Sequence, residues 1–314
     1  MIKRREYSAE NITGQAYSFI SMAMIICVVA FILIVLINDG AGVLSWHFIS
    51  TEPNPSALSA TNGGILTPII GTCILTVLGA AIAFPFALAT AIYISFYAKK
   101  SLFKTLVESA IDILSGVPTI VIAMFALVIF TLPQFGFLST LVEGVEGSSK
   151  AYGRSFLVAG ITMAVMILPF VIKSMTEALK SVPSTYYDAS MALGANQWTT
   201  ISKIMLRAAT DGIVTGVILG MGRIIGDTAI VWLTLGGSIR MTGLKPWYAV
   251  SNWGSTLQNS GCTLTSYIFY TSPVGEGNQF DVAFGASLVL ICIIIILNIF
   301  VSLMGKAGKI KNGK

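Results

Sequence analysis

The sequence has little charge for its length: 11% of its 314 residues are charged, while 55% are hydrophobic. Soluble domains carry about 25% charged residues, so we expect most of this chain to lie in lipid. It has one histidine and four cysteines, whose spacing fits neither a metal site nor a disulfide framework. It also lacks the phosphate-binding loop Gly-x-x-x-x-Gly-Lys-Ser/Thr and any nucleophile–base arrangement. We therefore predict a non-catalytic chain without a cofactor; an ATP-driven activity would need an ATPase on another chain.

The apolar residues fall into long runs. A helix needs about 20 apolar residues to cross ~30 Å of hydrocarbon. The runs predict an all-α integral membrane protein with six transmembrane helices. They also predict one membrane domain over residues 17–305, between a cytoplasmic segment 1–16 and a basic cytoplasmic tail 306–314. The six predicted segments are Tyr17–Ile37, Leu66–Tyr97, Ile111–Leu132, Phe156–Ile172, Gly212–Leu235 and Val282–Met304.

The lysines and arginines predict the orientation. With both termini in the cytoplasm, 14 basic residues lie inside and four outside, and Arg223 lies within a segment. Cytoplasmic loops carry this excess in membrane proteins. The net charge of +5 is then explained by topology and contact with anionic lipid headgroups. No basic stripe with interleaved aromatic residues indicates nucleic-acid binding.

A short polar stretch between the fourth and fifth segments predicts a cytoplasmic helix at about residues 184–194. Thr185 and Asp188 fit a capped helix start, and Gly194 fits a helix end. Such a short helix needs a surface to pack on. That surface is a soluble partner or the lipid interface. Tyr187, Met191 and Ala192 form its apolar stripe.

Two charged residues lie within the fifth segment, where each charge costs at least ~2.5–3.5 kcal/mol on insertion scales. In a continuous helix Arg223 and Asp227 would share one face, about 6 Å apart. Arginine suits an oxyanion because its planar fork donates two parallel hydrogen bonds. The pair predicts a substrate pathway, to which Thr228 adds a hydroxyl donor. The alternative is an ion pair that only locks helices together.

Small residues recur on the same segment. Gly212, Gly216 and Gly220 lie four residues apart, which allows another helix to approach closely in lipid. This predicts helix packing, either within the chain or against a second permease chain at the pore axis. In the third segment, Pro118 predicts a kink or freed backbone groups that bind an ion. The nearby Glu108 and Asp112 are expected to meet Lys104 or the headgroup region.

Several motifs resemble one family. Asp188-Ala-Ser-Met-Ala-Leu-Gly194, followed after nine residues by Ile204-Met-Leu206, resembles the Glu-Ala-Ala…Gly…Ile-x-Leu-Pro loop of ABC importer permeases. Asp188 and Arg207 replace the usual Glu and Pro. Other stretches resemble phosphate-specific permeases of the PstA type, whose Arg-Ala-x-Gly-Glu-Thr-Ala pattern is here Arg223-Ile-Ile-Gly-Asp-Thr-Ala229. These stretches are Gly63–Thr72, Ser115–Val121, Gly212–Leu219 and Arg223–Ala229.

The resemblance implies a type I ABC importer permease fold in a bacterial or archaeal cytoplasmic membrane. It implies a subunit that imports inorganic phosphate by alternating access, with the anion passing Arg223. It also implies three kinds of protein partner: a second permease chain, two ATP-binding subunits that use ATP and Mg²⁺, and an external phosphate-binding protein. Membrane lipid is the remaining expected partner. The coupling residues so implied are Tyr187, Asp188, Ala189, Met191, Ala192, Leu193 and Gly194.

Two other functions remain open. The nearer one is the sister permease of the same system, or an importer of another oxyanion. The other is a proton-coupled secondary anion carrier in which Asp227 is the proton site. Such carriers commonly show inverted repeats, and none is visible in this sequence.

Overall fold

The computed structural model describes residues 9–54, 63–98, 102–143, 149–237, 241, 243–244, 246–275, 277 and 279–310. Residues 1–8 and 311–314 of the predicted cytoplasmic ends lie outside the described residues. These ends contain five of the basic residues used to predict the orientation, and four more also lie outside the described residues: Lys99, Lys100, Arg240 and Lys245.

The described residues form thirteen α-helices and one small antiparallel hairpin, β1 (Leu141–Glu143) and β2 (Ser149–Ala151), with Leu141 opposite Ala151. Single π-helical turns lie at Tyr93–Tyr97, Ile201–Met205 and Val231–Leu235. The α-helices are α1 (Ala9–Gly40), α2 (Trp46–Ser50), α3 (Leu66–Ile92), α4 (Leu102–Gly116), α5 (Thr119–Phe130), α6 (Phe156–Lys180), α7 (Ser184–Ala192), α8 (Gln197–Thr200), α9 (Leu206–Ala208), α10 (Thr210–Gly226), α11 (Trp253–Gln258), α12 (Leu264–Thr271) and α13 (Phe280–Ile310).

Long apolar helices dominate the described part of the chain. Four spans are long and apolar enough to cross a membrane: Thr13–Val43, Leu66–Tyr97, Phe156–Lys180 and Phe280–Leu303. The number rises to six if α4 with α5, and residues 197–208 with α10, each count as one bent span. The predicted all-α membrane fold is confirmed, and the second predicted segment, Leu66–Tyr97, has the observed bounds.

The third predicted segment is not one helix. In place of a single span over Ile111–Leu132, α4 ends at Gly116 and α5 begins at Thr119, with a bend of 102° between them. Proline disfavours helical backbone at the residue before it, which is Val117, and Pro118 has no backbone N–H to donate. The apolar run therefore turns a corner there.

The fifth predicted segment is also interrupted. Within Gly212–Leu235, α10 ends at Gly226, and Asp227 and Thr228 are not helical. The chain then continues through a short helical turn that ends at Leu235. The fourth predicted segment, in contrast, runs two turns beyond Ile172, to Lys180.

Helix α6 lies at the centre of the fold. In its most apolar stretch 67% of the residues are buried, against 39% in α3, 6% in α13 and none in α1. It packs mainly against α3 and α10, around a core that includes Met163, Ile167 and Val171. The apolar faces of α1 and α13 are consequently left for lipid or another chain.

An aromatic residue of the loop between the fifth and sixth predicted segments is buried. In the structure Trp247 is 6% exposed, and its Nε1 donates a hydrogen bond to Glu52 Oε1 at 3.3 Å. Because the indole hydrogen bond is satisfied inside the protein, the ring serves as core packing between two outer loops.

The glycines of α10 face α6 of the same chain. A Cβ at Gly212 would lie 2.5 Å from Ala178 Cβ, and one at Gly216 would lie 2.8 Å from Ser174 Oγ. One at Gly220 would lie 2.8 Å from Val171 Cγ2. The partner of this stripe is therefore α6, so these glycines are not the surface that meets a second permease chain.

We predict that Gly216→Leu lowers the thermal stability of the purified chain, because the added side chain would push α10 away from α6. Overpacking of this kind typically costs ~1–3 kcal/mol. Gly222→Leu on the same helix is the matched control, since nothing lies within 4 Å of its Cβ position. Thermal unfolding in detergent measures both variants. Equal melting temperatures for the two would contradict the packing assignment.

Candidate functional site

The fifth segment breaks at Asp227. This residue has φ −82° and ψ 122°, which is extended backbone, and its Oδ1 accepts a hydrogen bond from the Ile230 N–H at 2.8 Å. Its carboxylate thus caps the short helical turn that follows. The expected geometry, with Arg223 and Asp227 on one helical face, is wrong because the helix ends between them. Within the described residues no ion pair within 4.0 Å joins them, and the guanidinium acts on the carboxylate only as a nearby charge.

Arg223 is exposed in this chain and lines a cavity at the corner between α4 and α5. The cavity has a volume of about 200 Å³, and Ser115, Val117, Pro169 and Lys173 also line it. Within the described part of the chain, the Arg223 side chain has no hydrogen-bond or ion-pair partner. An arginine at membrane depth faces protein, water or a ligand. The guanidinium of Arg223, which carries five N–H donors, is thus available to a ligand at this cavity.

The structure separates Thr228 from Arg223. Thr228 lines another cavity, of about 460 Å³, together with Trp232, Thr265 and Phe269. The Trp232 and Phe269 rings lie 6.3 Å apart in this cavity. Of the three residues predicted on the substrate pathway, each thus has a different position: Arg223 in one cavity, Asp227 at the break, and Thr228 in the second cavity.

Helix α7 corresponds to the predicted cytoplasmic helix. It spans Ser184–Ala192 and is followed by Gly194 at φ +85°. The Gly194 N–H donates to the Met191 carbonyl at 3.0 Å, and the Ala195 N–H donates to the Ser190 carbonyl at 3.2 Å. These two bonds form a Schellman motif, which needs a left-handed residue at the position of Gly194.

The expected cap at the start of α7 is wrong. Pro183 holds the N-cap position, and no side-chain hydrogen bond caps the helix. The fixed φ of proline (−56° here) starts the helix two residues earlier than the Thr185–Asp188 pattern predicts. Thr185 therefore lies in the first turn and not before it.

One face of α7 holds it against the membrane domain. The Tyr187 ring stacks on the Phe96 ring, with centroids 6.0 Å apart and planes 9° apart. Ser190 is buried, and its Oγ lies 2.8 Å from Thr200 Oγ1. Gln197 Nε2 also donates to the Phe96 carbonyl at 3.2 Å. The π-helical turn Tyr93–Tyr97, which follows α3, thus supports both α7 and the start of α8.

The other face of α7 is exposed. Tyr186 is 55% exposed and Leu193 is 90% exposed, and Ala189 lies between them on the same face. The predicted stripe of Tyr187, Met191 and Ala192 is therefore divided: Tyr187 faces inward, while Met191 and Ala192, like Asp188, are exposed. Sequence reasoning missed Tyr186, although its spacing to Ala189 and Leu193 (i, i+3, i+7) is a helical stripe of its own.

The chain runs on as helix where the family motif carries a proline. Arg207 lies within α9, and the bend of 69° into α10 comes at Ala209. Thr210 Oγ1 bonds the carbonyl of Arg207 at 2.9 Å and that of Leu206 at 3.1 Å. The turn therefore forms without proline, two residues beyond the position at which the motif places it.

Two ion pairs involve side chains of α4. Lys104 Nζ is 3.9 Å from Glu108 Oε1, as expected, whereas Lys173 Nζ lies 2.7 Å from Asp112 Oδ1. Sequence reasoning missed the second pair because its members lie on different helices, and no local spacing indicates it. In the described ranges no group of three or more histidine, cysteine or acidic residues is placed to hold a metal ion.

Comparison with known sequences shows the family to which this chain belongs. The profile of binding-protein-dependent transport system inner membrane components matches residues 83–307. The chain belongs to this family. It is 28% identical over 287 residues to the phosphate transport system permease protein PstA of Haemophilus influenzae, covering 91% of this chain and 90% of that one. It is also 30% identical over 244 residues to the probable phosphate transport system permease protein PstC of Methanocaldococcus jannaschii, covering 75% and 73%.

Solved structures show the same fold at low sequence identity. A chain of a bacterial alginate ABC transporter, in complex with alginate pentasaccharide-bound periplasmic protein, has a TM-score of 0.64 at 15% identity. The match covers 98% of this chain and 99% of that chain. A chain of the inward-facing MetNI methionine ABC transporter has a TM-score of 0.57 at 15% identity, with coverages of 78% and 95%. The type I ABC importer permease fold is therefore confirmed, and this family places the chain in the inner membrane.

We predict that Asp227 acts on stability as a cap and not as a charge. Asp227→Ala should lower the free energy of unfolding by roughly 0.5–2 kcal/mol, because the Ile230 N–H loses its acceptor. Asp227→Asn keeps an acceptor oxygen and should stay close to the native chain. Thermal unfolding in detergent compares the three proteins. An asparagine variant as unstable as the alanine variant would show that the charge itself is needed.

Proposed function

We propose that this chain is the PstA-type permease subunit of an ATP-driven importer that moves inorganic phosphate into the cytoplasm. The observation that carries the proposal is Arg223, a cation without a described partner that lines a cavity beside a helix break. A charge at this depth costs at least ~2.5–3.5 kcal/mol on insertion scales. A helix with a purely structural role would not need such a charged side chain. Its bidentate donors match two oxygens of a tetrahedral oxyanion.

The relatives support phosphate as the cargo and PstA as the type. Among the relatives named for phosphate transport, some are named PstA and others PstC. The two PstA proteins, from Haemophilus influenzae and Pasteurella multocida, match over 90–91% of this chain, whereas the PstC proteins match over 57–75%. We therefore assign this chain the PstA role, with a PstC-like chain as its partner permease.

The assembly needs further subunits. This chain has no nucleotide-binding loop, so two partner ATPase subunits would bind ATP and Mg²⁺, and this chain itself would catalyse nothing. An external phosphate-binding protein would deliver the anion, and lipid would surround the exposed faces of α1 and α13. The excess of basic residues on one side orients both termini and α7 toward the cytoplasm, where the ATPases lie.

The contacts of α7 give a route for coupling. Closure of the ATPases would press on the exposed face of α7, formed by Tyr186, Ala189 and Leu193. Tyr187 and Gln197 would pass that motion to Phe96, in the π-helical turn that follows α3. The segment from Gln197 to Ala208 would pass it to α10, which carries Arg223. The motion would then turn the Arg223 cavity from the outside toward the inside, which is alternating access.

Phosphate uptake tests the anion pathway. The full predicted assembly, reconstituted in proteoliposomes, should import labelled inorganic phosphate only with ATP. Arg223→Gln should reduce uptake at least tenfold, because the cavity loses its bidentate donor, while ATP hydrolysis persists. Lys104→Gln is the charge-matched control, since that side chain pairs with Glu108 and does not line the cavity. Native uptake that follows a proton gradient without ATP would contradict the proposal and favour the carrier.

The two faces of α7 should respond differently to substitution. Leu193→Asp should leave the melting temperature of the isolated chain unchanged, because this side chain is 90% exposed in the chain. The same substitution should abolish copurification of the ATPase, because it changes the exposed face of α7. Tyr187→Ala should instead lower the melting temperature, because it removes an aromatic pair worth ~0.5–1.5 kcal/mol beyond its buried area. Copurification and thermal unfolding measure the two effects. Intact ATPase binding by Leu193→Asp would show that α7 docks elsewhere, for example on lipid.

A further inference from the structure

The Arg223 cavity contains a second cation. Besides Arg223 from α10, its about 200 Å³ are lined by Lys173 from α6 and Ser115 from the end of α4. No carboxylate is among its described lining residues. One water needs on the order of 10–15 Å³ of such volume, so the cavity has room for a small anion with water. Two positive side chains facing one void make it complementary to an oxyanion.

Lys173 forms an exposed ion pair with Asp112 that can break at little cost. Its Nζ lies 2.7 Å from Asp112 Oδ1 and donates to Ser115 Oγ at 3.3 Å, which leaves one of its three N–H donors unused. The Lys173 side chain is 46% exposed and that of Asp112 is 67% exposed. Ion pairs as exposed as this one contribute little to stability. Lysine is also a flexible point charge, so exchanging one anionic partner for another costs little.

Lys173 also lies on the route to the inner end of α6. It lines a second cavity, of about 270 Å³, together with Asp112, Thr176 and Lys180. Thr176 Oγ1 is buried there without a hydrogen-bond partner in the described structure. Glu108 and Glu177 line the same cavity, so three carboxylates oppose a long stay of an anion. Among the lining residues that the structure describes, Lys173 is thus the only lysine or arginine shared by the two cavities.

We propose that Lys173 is a second anion-binding residue, which exchanges Asp112 for the phosphate that Arg223 releases and passes it to the inner cavity. This inference rests on the proposed function, because it names a further residue of the same pathway. Asp112 competes with the anion for Lys173, so binding stays weak enough for release. The rival role is structural: the ion pair would only clamp α4 to α6.

Charge substitutions separate the two roles in the reconstituted assembly. Lys173→Gln should lower ATP-dependent uptake of inorganic phosphate at least tenfold, while Lys173→Arg and Asp112→Asn should each keep at least half. The reversed pair, Lys173→Asp with Asp112→Lys, restores an ion pair but should stay as inactive as Lys173→Gln. Lys104→Gln, which breaks the neighbouring ion pair, is the control and should transport normally. A clamp predicts the opposite: Asp112→Asn fails and the reversed pair recovers.

Chemical labelling of lysines gives a readout that does not depend on transport. In the purified assembly, inorganic phosphate should slow acylation of Lys173 at least threefold and leave Lys104 unchanged, as read by peptide mass spectrometry. Protection that is absent with phosphate, sulfate and molybdate alike would overturn the Lys173 proposal. Protection by sulfate or molybdate but not by phosphate would uphold Lys173 and contradict phosphate as the cargo. Loss of native ATP-driven uptake with protection retained would count against the proposed function alone.

Discussion

The close contact between α10 and α6 determines where the rest of the site lies. Gly212, Gly216 and Gly220 have no side chains, so α10 approaches Ala178, Ser174 and Val171 within van der Waals distance. In lipid no hydrophobic effect drives helices together, and such backbone contact is what stabilises them. Because Arg223 follows Gly220 by less than one turn, this contact places the guanidinium at the level of Pro169 and Lys173 on α6. The position of the Arg223 cavity is thus a consequence of helix packing.

Much of the fold could be predicted from the sequence because lipid imposes a simple rule. A run of about 20 apolar residues becomes a helix, since no water is available to satisfy its backbone. The bounds of α3 with its π turn, and the end of α7 at Gly194, follow from local signals. The corner at Val117–Pro118 is also local in origin, but hydropathy does not register it, since the apolar run continues through both helices.

The site was less predictable than the fold. Arg223 stands out as a charge in an apolar segment, and that signal was enough to find it. The helix break at Asp227 was missed because Gly226 and Asp227 fit a helical continuation as well as a cap. Lys173 and Asp112 are 61 positions apart, and only the packing of α4 on α6 brings them together. Single-sequence periodicity carries no information on such contacts.

The fold and the cargo are specified by different parts of the sequence. At 15% identity, chains of alginate and methionine transporters share this backbone with TM-scores of 0.64 and 0.57. Few side chains are common to all three, so the helix arrangement depends on apolar pattern and small residues. A small, highly charged oxyanion needs donors that an apolar pore does not offer. Selectivity among the members of this fold therefore has to come from a few polar side chains at helix breaks, and here the break between α4 and α5 provides such a place beside Arg223 and Lys173.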